Sequence, residues 1–147
     1  MIDIENLVFN TVFNAVSLVR EDAHIGKGYV QTLSEFPYIA VHEVDNAPYQ
    51  STDTDDSAEN YTRVIYQVDV YSDKAGTARS ECKELIALVD GIMQSMKFRR
   101  QRLNEPVNIE RTVFHQYARY SAIVKAGVTT PGNTEGETIT TFQMYRR

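Results

Sequence analysis

The stretch that decides the fold is Thr62–Ser72, TRVIYQVDVYS. Val64, Tyr66, Val68 and Val70 alternate with Arg63, Ile65, Gln67, Asp69 and Tyr71, the period of two that marks a strand with one apolar face. Asp73 then offers a helix N-cap, and the periodicity changes. Ala78, Cys82, Leu85, Ile86, Val89, Ile92, Met93 and Met96 fall on one stripe at helical spacing, which predicts a long helix from Asp73 to about Met96. A strand feeding a helix of this length needs further layers to bury both apolar faces.

Those layers are readable on either side. Upstream, Asp3 can cap a helix running to about Arg20, with Ile4, Leu7, Val8, Val12, Ala15, Val16 and Val19 as its buried stripe. Gly26 and Gly28 break that pattern. FPYIAVHEV follows, and Tyr38 to Val44 read as a strand entered at Pro37. Asp45 to Asn60 has few apolar residues and many turn formers, so it reads as a flexible acidic loop. Downstream, FRRQRL and VNIERTVFHQY read as a strand pair around Asn104-Glu105-Pro106. ARYSAIVKA continues extended, VTTPGNTEGE turns, and TITTFQMY returns as the last strand. The order is α-β-β-α-β-β-β. It implies an α+β fold with a mostly antiparallel sheet of four to five strands and two helices on one face. No repeat or linker divides the 147 residues, which read as one domain.

Composition narrows the function classes. The chain has no run of about 18 apolar residues that would span a membrane, and its N-terminus lacks the pattern of a secretory signal. One cysteine, Cys82, excludes an internal disulfide or a multi-cysteine zinc site; on the apolar helical stripe it reads as a core residue. These features point to folding in a reducing cytoplasm. The net charge of −5 is unevenly spread: residues 1–60 sum to −9 and residues 61–147 to +4. Such polarity is compatible with an ordinary solvated surface. It also suits a self-complementary subunit whose acidic side meets the basic side of the next, a contact that closes into rings or grows into filaments.

Chemical motifs are sparse. STDTDDSAEN, residues 51–60, packs Asp53, Asp55, Asp56 and Glu59 together but fails as an EF-hand. Counted from Asp53, Ala58 stands where the loop needs Gly, and Val64 stands where it needs a bidentate Glu. A solvated loop is the simpler reading, with a hard-cation site as the alternative. His24, His42 and His115 have no metal-ligand spacing, IGKG lacks the phosphate-loop pattern, and there is no G-x-S-x-G elbow. No catalytic residue, cofactor or metal site is therefore assigned. Arg99, Arg100 and Arg102 form a basic run without an aromatic platform in an acidic chain. That argues for solvated strand positions or an acidic protein partner before specific nucleic-acid binding.

The segment from Glu59 to Arg100, with its YQVDVYS strand, Lys/Ala/Glu-rich helix and MKFRR exit, resembles the central unit of tail terminator (tail completion) proteins of long-tailed phages. NIERTVFHQYARYSAIV, in which Arg119-Tyr120 opens a core strand, extends the resemblance, as do the first helix and FPYIAV. The resemblance implies a structural virion protein that forms a ring, typically a hexamer, on the head-proximal end of the tail tube. It would be assembled in the host cytoplasm. Its partners would be its own copies, the tail tube protein, and the head connector or stopper protein, with viral DNA passing through the ring. Asp53, Asp55, Asp56, Glu59, Arg99, Arg100 and Arg102 are the candidate interface residues. Two other readings stay open: a different neck or minor tail protein, or a small α+β domain that binds a metal.

Overall fold

The computed structural model describes residues 2–28, 35–48, 61–106, 113–131 and 138–145, with side chains through Lys125. Its elements are α1 (Glu5–Val19), β1 (His24–Lys27), β2 (Tyr38–Pro48), β3 (Tyr61–Ser72), α2 (Ala78–Ser95), β4 (Arg99–Asn104), β5 (Phe114–Pro131) and β6 (Thr138–Tyr145). The six strands form one sheet in the order β1-β2-β3-β5-β4, with β6 also paired to β5. All pairings are antiparallel except β1 with β2. The α+β class and the mostly antiparallel sheet are as the sequence implies, with one strand added.

That added strand is β1. Glycine reads as a breaker in a strand pattern, yet Gly26 sits within β1 opposite Ala40. A Cβ at Gly26 would collide with the Tyr38 hydroxyl, so Tyr38 lies across the position and would have to swing aside for any larger residue. Other boundaries shift as well. β2 runs on to Pro48, so Asp45 to Pro48, expected as loop, continue the strand opposite Thr62 to Ile65. α2 begins at Ala78 rather than after Asp73, because Gly76 takes a left-handed φ of 76° and the chain turns first. Val107 to Thr112, expected as strand, lie outside the described residues; β5 begins at Phe114.

β3 shows why the sheet has two different faces. Val64, Tyr66, Val68 and Val70 are fully buried against the helices. They meet Val8, Val12 and Val16 of α1 and Cys82, Leu85, Val89 and Met93 of α2 in one core cluster. Tyr66 and Phe98 meet edge to face at 5.7 Å. α1 packs on β2 and α2 packs on β3, β4 and β5, so each helix covers one half of the same face. At the start of α1, the Asp3 carboxylate accepts the Glu5 backbone N–H at 3.0 Å, which satisfies one of the free donors of the first turn. Leu7 and Val19, expected in the buried stripe, are instead 47% and 64% exposed.

At one end of the sheet, β5 outruns β3. Lys125 is the last β5 residue with a partner on β3, Tyr61. From Ala126 to Pro131 the register pairs β5 with β6 alone among the described residues.

Candidate assembly surfaces

The surfaces available for contact are set by strand order. Among the described residues, β1 pairs only with β2, and β4, apart from its partner β5, has no strand beyond it. Both outer strands therefore present open backbone donors and acceptors. All six residues of β4 are exposed. The three arginines singled out in the sequence lie here together. Arg99 stands opposite Ser121, Arg100 opposite Tyr120 and Arg102 opposite Arg119, with an irregularity between Arg100 and Arg102. Arg100 lies on the helix side of the sheet and reaches Asp90 at 3.4 Å while staying about half exposed. Asp90 also accepts the Tyr120 hydroxyl at 3.1 Å, and burial pushes that phenol well above its usual range. Tyr117, beside Asn104 and Arg102, has its phenol held below the usual range by hydrogen bonds from those two side chains.

The opposite half of the sheet has the opposite sign. Residues 2–28 and 35–48 build α1, β1 and β2, and carry Asp3, Glu5, Glu21, Asp22, Glu35, Glu43 and Asp45 against Arg20 and Lys27. Arg20 is engaged internally: it bonds Asp22 at 3.0 Å and the buried Glu81 at 3.2 Å, and these contacts raise its pKa further. His24 faces Glu35 at 3.0 Å at the β1 edge. Strand order thus turns a charge asymmetry along the chain into one across the molecule. Asp53, Asp55, Asp56 and Glu59 lie outside the described residues. Their segment leaves the sheet at Pro48 and re-enters at Tyr61, the end at which β5 outruns β3.

The helix-free face holds a side-chain network that reading the sequence missed. Asp69 lies at its centre, 4% exposed. Its carboxylate accepts the Gln67 amide at 3.1 Å and stands 2.7 Å from His115 Nε2 and 3.7 Å from His42 Nδ1. Arg119 Nε donates to Gln67 Oε1 at 2.8 Å, and His115 stacks on Tyr71 with centroids 4.3 Å apart. Burial lowers the His42 pKa, the nearby Asp69 charge opposes that, and Arg119 adds to it. The network crosses β2, β3 and β5 and ties three strands where no helix covers them. The sequence signal was an aspartate in the middle of a strand, a position that type usually avoids. Of the apolar residues on this face, Ile123 is buried at 8% exposure, and Ile65 and Tyr71 are half-buried.

Helix α1 contributes one more surface. Its outward side shows Asn6, Leu7, Asn10, Phe13, Asn14 and Leu18, with Leu18 87% exposed and no charge among them. Depletion of charge with exposed aromatic and aliphatic groups is the compositional mark of a contact surface. Cys82, by contrast, is buried on the sheet-facing side of α2, and its thiol is pushed up to about 12 by burial and by the Glu81 and Glu105 carboxylates.

An open, arginine-bearing β4 edge, an open β1 edge beside the acidic half of the molecule, and an uncharged helix face are surfaces suited to contact with other proteins. The family model for tail completion protein gp17 matches residues 14–123, well over half of the chain, and the chain belongs to that family of phage tail structural proteins. The matched span takes in the C-terminal part of α1 from Asn14, all of β1 to β4, α2, and β5 through Ile123. No curated protein matches the chain at a significant level.

Proposed function

We propose that the protein is a subunit of a ring, a hexamer, that caps the head-proximal end of the phage tail tube, ends tube polymerisation and presents a docking surface to the head connector or stopper protein. The observation that carries this reading is the tail completion family match over residues 14–123. The two unlike edges of the sheet support it, because unlike edges favour the heterologous contacts from which rings close. The work is binding and geometry. The uncharged face of α1 offers a surface for the tube or the connector.

The acidic segment fits the same frame. Asp53, Asp55, Asp56 and Glu59 on each subunit, turned toward the channel, would keep passing DNA from adhering to the ring. Neutralising Asp53, Asp55 and Asp56 is then expected to slow DNA ejection; unchanged ejection and infectivity would discard that role for the segment. The capping function itself is tested by deleting the gene in its phage. Over-long tails lacking heads are expected, and tails of normal length would refute termination.

A further inference from the structure

We infer that the β4 edge of one subunit receives the β1 edge of a second copy of this chain, so that neighbouring subunits continue one another's sheet. The inference deepens the ring reading and rests on it for closure. Three observations carry it.

The first is that both strands are open on their outer side among the described residues, β4 over six residues and β1 over four. The second is direction. β1 runs parallel to β2, β2 and β5 both run antiparallel to β3, and β4 runs antiparallel to β5. Two copies set side by side in the same orientation therefore bring β4 against β1 antiparallel, an arrangement in which backbone N–H and C=O groups can pair. The third is charge. β4 carries Arg99, Arg100 and Arg102 and no acid, whereas the half of the sheet that ends in β1 carries Asp3, Glu5, Glu21, Asp22, Glu35, Glu43 and Asp45 against Arg20 and Lys27, with Lys27 on β1 itself. A β4-on-β4 contact would confront six arginines. Charge thus favours the meeting of the β4 edge with the acidic half of a second copy over a β4-on-β4 contact.

Arginines on an exposed edge have another use, since charge there can simply prevent unwanted strand pairing. The two roles predict opposite signs. If the arginines only guard the edge, neutralising them strengthens association; if they bind a second copy, neutralising them weakens it.

The test uses the full chain and follows its oligomer by sedimentation velocity, alone at rising concentration and after addition of tail tube protein. Arg99→Glu with Arg102→Glu is expected to weaken assembly by about 100-fold, the scale of like charges forced together at a contact. Glu21→Lys with Glu35→Lys is expected to do the same from the other side. Mixing the two variants restores assembly, because each altered edge then meets an edge of opposite sign on the other variant. That rescue also shows that both variants are folded. Assembly unaffected by either reversal, or strengthened by Arg99→Thr with Arg102→Thr, overturns the edge contact and leaves the ring reading standing. A wild-type chain that stays monomeric under both conditions overturns the two together.

Discussion

Replacing Asp69 by alanine is expected to be the most damaging single change on the helix-free face. The carboxylate is 4% exposed and receives the Gln67 amide at 3.1 Å and His115 at 2.7 Å. Without it, the Gln67 amide, itself only 8% exposed, loses its acceptor in a place water hardly reaches. An orphaned buried donor costs about 1–3 kcal/mol. His115 also loses a bond to a charged group, worth about 1.5–3 kcal/mol when fully buried, but its side chain is 22% exposed and water recovers part. Removing the carboxylate relieves its own desolvation, which offsets some of the loss. The net is about 2–4 kcal/mol, or roughly 5–15 °C in Tm for a chain of this size. Asp69→Asn keeps the shape and one acceptor, and about half the effect is expected. Thermal unfolding followed by circular dichroism at neutral pH measures both. A Tm for Asp69→Ala within about 1 °C of wild type, or above it, would show that the network contributes no net stability.

Further expectations follow from other positions. Burial lowers the pKa of His42 below the ordinary 6.5, so the folded state favours the neutral ring. Its contribution is complete above pH 6.5 and is lost as the pH falls through the folded value. Wild-type stability should therefore decline in that acid window more steeply than that of His42→Gln, and equal slopes would refute this. Cys82, with its thiol pushed up to about 12, should resist a thiol reagent at pH 8 in the native protein and react fully in denaturant. Phe98→Ala empties a fully buried ring site against Tyr66 and should cost about 3–5 kcal/mol, read from denaturant midpoints. Gly26→Ala should force Tyr38 off β1 and lower the Tm, and Tyr38→Ala in the same chain should recover part of the loss.

What the sequence revealed follows from how local each signal is. The alternation over Thr62–Ser72 named the buried face of β3 correctly: Val64, Tyr66, Val68 and Val70 are all fully buried. The stripe of α2 was equally legible, since Cys82, Leu85, Ile86, Val89 and Met93 lie in the core. β1 was not, because the glycine that breaks the pattern lies under Tyr38, twelve residues further on. The Asp69 network was hidden for a related reason. Its histidines and Arg119 come from strands far apart in the chain, and only the register β2-β3-β5 brings them together. The basic run on β4 was visible as a candidate contact. Its position at the far edge from the acidic N-terminal third was not, because strand order is a property of the fold.

The β5–β6 hairpin beyond Lys125 has a thermodynamic consequence. From Ala126 onward, among the described residues, it is a ribbon of two strands, and such a ribbon is at best marginal by itself in water. A partner that docks on it with a further strand or a covering surface would add to its stability. Its folding free energy and the free energy of docking would then be one quantity, so amide protons of residues 126–131 and 138–142 are expected to exchange quickly in the isolated subunit and slowly once such a partner is bound. Such a ribbon would report its own contact, becoming rigid only where a partner completes it.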